Sequence, residues 1–366
     1  MSEPITTTSK TNLKTLSRKE LREFCDSLGL KSFRADQIFQ WLYQKRADTF
    51  TEMTNLSLDL REKLEQGAVI HPIKVAHMQE ASDQTVKFLF SLHDGKHIES
   101  VLIPEMNDDG TADRITVCVS SQVGCIFGCS FCATGKMGYF RNLAAGEIVD
   151  QATYINEFSE QRFGKKITNI VYMGMGEPLH NYKEVVESTA IITDPLSLGL
   201  SPRRITVSTV GLARQIRQLG DERQPFNLAV SLHAPTDEKR TQIMPINKSL
   251  NLKALEEALK HYFAATNQPV TYEYLLFDRF NDGPEDAKNL AKIARWIPSK
   301  VNIIMYNQVN GVSMKRAKED RLNQFMRALT DQGVRATVRR SRGDDIDAGC
   351  GQLADREKGQ HGKTIG

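Results

Sequence analysis

From residue 114 onward the chain alternates short β-branched runs with longer amphipathic ones, and this alternation limits the fold more than any other feature. Strands are expected over 115–119, 167–173, 205–208, 226–231, 270–277 and 301–306, with a further one at 335–339. Helices are expected between them, near 146–160, 181–193, 211–219, 251–266, 284–296 and 318–332. Repeated βα units with right-handed crossovers build a parallel sheet. Six such units fall short of the eight that close a complete barrel. The expected class is therefore α/β, a partial (βα)6 TIM-like barrel. Its active-site residues should stand at the C-terminal ends of the strands.

Upstream the pattern changes. Leu16, Leu21, Phe24 and Leu28 recur at helical spacing, 33–43 repeats the pattern, and a third helix is expected near 57–66. Residues 85–91 and 98–103 alternate as strands about the turn residues Asp94-Gly95, a hairpin signal. The expected organisation is a disordered tail over 1–14, a helical accessory domain over 15–68 and a β-hairpin connection over 69–110. A catalytic domain over 111–353 and a C-terminal tail over 354–366 complete it. No apolar run approaches the roughly 20 residues of a membrane span. The N-terminus lacks the apolar stretch of a secretory signal. A cytoplasmic protein, monomeric by default, is the expectation.

The net charge of +3 is too small to announce nucleic-acid binding by itself. Arg203-Arg204, Lys315-Arg316 and the set Arg335, Arg339, Arg340 and Arg342 are candidate phosphate contacts, each weighed against an ordinary solvated face.

Three of the six cysteines fall within eight residues, Cys125, Cys129 and Cys132, in the spacing C-x3-C-x2-C just after a strand. Three thiolates can hold three irons of a cubane cluster and leave the fourth iron open. A structural zinc site would need a fourth ligand, commonly from a second pair, and no second pair exists. The segment Val171–Pro178 carries Gly174 and Gly176, which let backbone approach a ligand. Glu177 within it is expected to be exposed and, with free carbonyls, to accept hydrogen bonds from an ammonium group. Cys118 reads as a small buried apolar residue. Cys350, between glycines in an Asp-rich loop, reads as a mobile, exposed thiol suited to chemistry.

Cys125, Cys129 and Cys132 with Phe131 before the last resemble the signature of the radical S-adenosylmethionine superfamily, and Gly174–Pro178 resembles its GGEP-type motif. The likeness is narrower still. Residues 33–43, Glu99–Glu105, Ser120–Cys125, Cys132–Lys136, Ser231–Pro235 and Gly343–Leu353 are similar to the RlmN-type RNA methyltransferases, relatives of the Cfr resistance enzymes. That resemblance implies one 4Fe-4S cluster per chain on Cys125, Cys129 and Cys132. It implies two S-adenosylmethionine molecules per turnover, contacted by Gly176, Glu177, Ser208, Ser231, Leu232, His233 and Asn307. The first would methylate Cys350. The second would yield a 5′-deoxyadenosyl radical that takes hydrogen from that methyl group, and the resulting carbon radical would add to adenine. Cys118 would then attack the Cys350 sulfur, releasing methyladenine and a disulfide, with Glu105 as proton acceptor. The implied substrates are an adenosine in the peptidyl-transferase region of 23S rRNA and adenosine 37 of tRNAs, methylated at C2. A Cfr-like methylation at C8 is the alternative. The implied electron donor is a protein such as flavodoxin, and residues 15–68 resemble the family's RNA-binding accessory domain. A radical enzyme acting on protein or small molecules leaves Cys118 and Cys350 without a joint role.

Overall fold

Apolar spacing first shapes the N-terminal unit. The computed structural model describes residues 10–354, so the tail readings at 1–9 and 355–366 lie outside the described residues. Strand β1 (Thr11–Asn12) leads into helices α1 (Arg18–Ser27), α2 (Phe33–Tyr43) and α3 (Leu58–Gly67), and β2 (Ala68–Val69) follows. Ser17 and Glu20 form a capping box that starts α1. Helix α2 buries Ala35, Ile38, Phe39, Leu42 and Tyr43, a three-and-four spacing along one face. Parallel pairing of β1 with β2 closes the unit. Residues 11–14 therefore do not belong to a disordered tail. Leu13 is fully buried, and the Lys14 ammonium lies 2.5 Å from the Asp150 carboxylate. A two-residue strand followed by one leucine and a lysine has no periodicity to reveal it.

Strands β3 (Lys74–Glu80), β4 (Val86–Ser91) and β5 (His97–Met106) form an antiparallel meander, and β5 pairs antiparallel with β6 (Ala112–Cys118). The hairpin expected as a connection over 69–110 is thus a three-stranded extension of the catalytic sheet itself. Its outer strand, β3, buries none of its residues fully.

After β6 comes a small hairpin, β7 (Gln122–Gly124) and β8 (Tyr139–Asn142), with the short helix α4 (Ala133–Met137) inside it. Then follow α5 (Ala145–Phe163), β9 (Asn169–Tyr172), α6 (Tyr182–Thr193), β10 (Ile205–Thr209), α7 (Ala213–Asp221) and β11 (Asn227–Ser231). The chain continues through α8 (Asp237–Ile243), α9 (Leu252–Thr266), β12 (Val270–Leu276), α10 (Pro284–Ala294), β13 (Ser299–Met305), α11 (Glu319–Asp331) and β14 (Ala336–Arg339).

One ten-stranded sheet runs β14-β13-β12-β11-β10-β9-β6-β5-β4-β3. Every pairing from β6 to β14 is parallel. Six crossovers join these seven parallel strands. The end strands β14 and β3 do not pair with each other, so the barrel stays open. Burial on both faces explains why β9 and β12 read as nearly continuous apolar runs. The C-terminal ends of β6, β9, β10, β11, β12 and β13 converge at one mouth.

Candidate active site

The cysteine loop leaves β6 and is clamped by the β7–β8 hairpin. The Cys125 N–H donates to the Gly138 carbonyl at 2.9 Å. Gly124, at φ +73°, allows this approach, because a Cβ there would lie 1.9 Å from the Gly138 oxygen. The Cys129 N–H donates to Phe127 O and the Cys132 N–H to Cys129 O, so the loop turns back on itself. All three thiols consequently line one cavity. Among the described residues no three Cys, His, Asp or Glu side chains close on a point that one ion would occupy. The thiols stand around a wider hollow instead. Burial pushes the Cys125 thiol up to about 12 and raises Cys129 and Cys132 as well. Only a strongly cationic centre would hold all three as thiolates at neutral pH, and this donor set suits an iron–sulfur cluster.

The wall opposite the cysteines is built by the glycine segment after β9. Met175 O accepts from the Ser121 and Gln122 N–H groups, Met175 N–H donates to Ser120 Oγ, and Glu177 N–H donates to Gln122 Oε1. This strapping explains both glycines. A Cβ on Gly174 would lie 2.7 Å from Ser120 Oγ, and one on Gly176, at φ +98°, 2.5 Å from the Gln122 side chain. Two expectations are corrected here. The Met175 carbonyl is not free for a ligand, and Glu177 is buried, not exposed. Its carboxylate oxygens accept from the N–H groups of Leu179 at 3.0 Å and Val210 at 2.9 Å. Burial raises the Glu177 pKa to about 7 against the pull of these bonds. The segment resembles a turn in sequence, and only the neighbouring strand consumes its polar groups.

Further round the cavity, Ser208 Oγ and Ser231 Oγ lie 3.2 Å apart at the ends of β10 and β11. His233 follows, with Nδ1 accepting from the Leu275 N–H at 3.1 Å, so its N–H is on Nε2. Leu232 is fully buried. Its carbonyl accepts from Arg240 Nε, and it stands behind the wall, with only Ser231 and His233 lining the cavity. Asn307 packs against the Cys350 loop; its Oδ1 accepts from Ser341 Oγ, and its buried Nδ2 has no partner. Sequence reasoning missed Glu273 on β12, which lines the cavity and is 4% exposed. Its Oε1 accepts from Asn302, while its buried Oε2 has no partner. An unpaired carboxylate oxygen, two hydroxyls and an imidazole N–H offer donors and acceptors of both kinds, as a zwitterionic nucleoside such as S-adenosylmethionine needs. The signal in sequence was a lone Glu inside a buried strand.

A second, smaller cavity adjoins the first. Cys118, Met173, Ile103, Arg339 and Cys350 line it, and Cys350 lines both. Both thiols are free, with no disulfide between them. The Cys350 loop is tied down, contrary to the expected mobile and exposed thiol. Ala133 N–H donates to Gly351 O at 2.7 Å, Thr134 Oγ1 donates to Leu353 O, and Gly349 N–H donates to Gln352 Oε1. A Cβ on Gly349 would lie 2.0 Å from Asn307 Nδ2, so the flanking glycine serves close packing. Glu105 is exposed near the end of β5, on the same face as Ile103, and lines neither cavity.

Comparison with known proteins agrees with this geometry. Residues 11–70 match the ribosomal RNA large subunit methyltransferase N-terminal domain, and residues 119–291 match the radical SAM superfamily. The "Probable dual-specificity RNA methyltransferase RlmN" of Salinibacter ruber is 50% identical over 351 residues, 95% of each chain. The "Dual-specificity RNA methyltransferase RlmN" of Nautilia profundicola is 43% identical over 93% of this chain and 96% of its own. A crystal structure of a radical SAM methyltransferase from Sphaerobacter thermophilus superposes with TM-score 0.87 at 41% identity, covering 94% of this chain and 99% of that one. The chain belongs to the RlmN family of radical S-adenosylmethionine RNA methyltransferases.

Proposed function

We propose that this enzyme methylates C2 of an adenosine in the peptidyl-transferase region of 23S rRNA and of adenosine 37 in tRNAs, by way of a methyl group carried on Cys350. The observation that supports this most is the place of Cys350 in the wall of both cavities, between the cluster cysteines and Cys118. Cys125, Cys129 and Cys132 would hold one 4Fe-4S cluster per chain, which together with S-adenosylmethionine would supply a carbon radical able to take hydrogen from a methyl group.

The remaining work falls to the chain. Gly176, Glu177, Ser208, Ser231 and His233 shape and polarise the cofactor wall, Leu232 backs it, and Asn307 holds the Cys350 loop beside it. Cys350 takes its methyl group from one S-adenosylmethionine by displacement at the methyl carbon, and a second is used in the radical step, two per turnover. Its activated carbon then bonds to C2 of adenine, an amidine carbon without nucleophilic character, which an ordinary methyl transfer would not reach. The radical adduct would lose one electron to the oxidised iron–sulfur centre and its C2 proton to Glu105, and Cys118 then takes Cys350 into a transient disulfide that frees the product. The N-terminal helical unit reads RNA by shape and by unstacked bases. A reduced protein such as flavodoxin delivers the electrons. The enzyme works as a cytoplasmic monomer; among the described residues no helix is long and apolar enough to cross a membrane.

The test is anaerobic reconstitution with iron and sulfide, then incubation with S-adenosylmethionine, reductant and 23S rRNA or tRNA, with mass spectrometry of the digested nucleosides. 2-Methyladenosine is expected. 8-Methyladenosine would overturn the C2 assignment, and 5′-deoxyadenosine without methylated adenine would overturn the RNA substrate.

A further inference from the structure

Arg339 ends β14 with its guanidinium in the second cavity, facing Cys118 and Cys350. The sequence placed it among arginines that could touch phosphate. Its position is different from that of a solvated or phosphate-binding side chain. Among the described residues its hydrogen bond goes to a thioether, Met173 Sδ at 3.6 Å, and it forms no ion pair. Glu273 is the carboxylate whose charge it feels, yet Glu273 gives one oxygen to Asn302 and leaves the other unpartnered. A guanidinium carries five N–H donors and cannot lose its charge. To leave it half-buried against sulfur, with Glu273 near but in no contact ion pair with it, is unfavourable unless further negative charge arrives there during the reaction.

We propose that Arg339 is the positioning residue for the resolving step, holding Cys118 as the sulfur anion that attacks Cys350. This rests on the two-cysteine reading above. In that step the Cys118 thiolate forms an S–S bond with Cys350 Sγ, and the bond from that sulfur to the RNA-borne carbon breaks. The electron pair leaves on that carbon, which takes a proton and becomes the methyl group. The two sulfurs lose the two electrons the carbon gains, so a dithiol reductant must restore them before the next turnover.

Cys118 needs such help. Burial and the neighbouring Cys350 push its thiol up to about 12, and Arg339 and a backbone bond to Met173 are what oppose this. The same guanidinium charge faces Cys350, whose own methylation also needs a thiolate. Cys350 has its methyl transferred and its carbon activated on the other side, in the cavity with the cluster cysteines.

The experiment is a single turnover with reconstituted full-length enzyme and tRNA, separating covalent protein–RNA adduct from released methylated RNA on a denaturing gel. Cys118→Ala serves as the reference for a blocked resolving step. Arg339→Gln is expected to shift the adduct-to-product ratio at least tenfold toward adduct, and Arg339→Lys to restore part of the release. RNA affinity, measured by filter binding, should stay within twofold. If Cys118→Ala traps adduct but Arg339→Gln does not, the role of Arg339 is overturned while the two-cysteine route stands. If neither variant yields adduct, the two-cysteine reading itself fails. A loss of RNA affinity with an unchanged ratio would make Arg339 a phosphate contact and overturn the proposal.

Discussion

His233 shows how a single residue can serve both the cavity wall and stability. It adopts φ +56°, a conformation that costs a non-glycine residue about 1 kcal/mol or more, held by Asn281 donating to its carbonyl and Leu275 donating to its Nδ1. Burial and the nearby Arg240 charge lower its pKa to about 3, so the ring is neutral at any working pH. Between pH 6.5 and 3 the unfolded chain therefore binds a proton that the folded chain refuses. The stability this gives the fold is fully present above pH 6.5 and declines as pH falls below it. From pH 7 to pH 5 this one group should remove about 2 kcal/mol. His233→Gln keeps an oxygen to accept from Leu275 but cannot titrate. Its urea midpoint should fall less between those two pH values than the wild-type midpoint, and an equal fall in both would show that other groups carry the acid sensitivity.

At the scale of elements, the N-terminal unit is fastened to the barrel at one point more firmly than elsewhere. Lys14 and Asp150 on α5 are both nearly inaccessible, with 4% and 6% of their side chains exposed. Asp150 also accepts from the Ile73 N–H, and Gly146 on the same helix gives way to the Lys14 carbonyl, where a Cβ would lie 2.2 Å away. The other links, Arg18 to Asp194 and Arg46 to Glu157, are partly solvated and contribute little. Removing one partner of a buried pair strands the other charge and costs about 3–5 kcal/mol. Lys14→Met should thus make urea unfolding biphasic, with Trp41 fluorescence reporting early release of the helical unit. Adding Asp150→Leu should restore much of the single transition. One unchanged transition in Lys14→Met would mean the docking rests on apolar contacts instead. Much of this scale is legible in sequence. The βα strands and helices follow from their apolar periodicity, and the cysteine loop from its spacing. Lys14 was not legible, because a lysine beside a polar tail looks solvated until Asp150, far along the chain, is folded against it. Glu273 was missed, and Arg339 was read as a phosphate contact, for a related reason: each lies on a strand and lines a cavity whose other walls come from distant segments.

At the scale of the whole molecule, the meander and the Cys350 loop are joined across more than 250 residues of chain, and the sheet makes this possible by placing β5 beside β6. Asp83 Oδ2 accepts from the Gly343 N–H at 3.1 Å, Asp345 Oδ2 accepts from the Ser82 N–H at 2.9 Å, and Glu99 Oε2 accepts from the Ala354 N–H at 2.8 Å. Both ends of the loop are therefore held by the meander, and Cys350 is carried between them at the junction of the two cavities. On the proposed route through Cys350 this gives the three extra strands a role in the chemistry, although none of them bears a proposed cluster ligand. Asp83→Ala removes the bond to Gly343 and the one from Thr85 N–H to Asp83 Oδ1. Two such bonds are together worth about 1–3 kcal/mol, and the loss should appear as local opening, with the core of the barrel intact. Amide hydrogen exchange over residues 341–350 should accelerate by about tenfold, the equivalent of 1.4 kcal/mol, while the melting temperature moves little. Methylation of Cys350, followed by the mass of its peptide, should slow in parallel, because the thiol must stay in the wall of the cofactor cavity to be reached. Unchanged exchange in the loop would mean that its contacts with Ala133 and Thr134 suffice to hold it. Faster exchange with unimpaired Cys350 methylation would mean that the reaction tolerates a loose thiol, and the meander would then serve the fold alone.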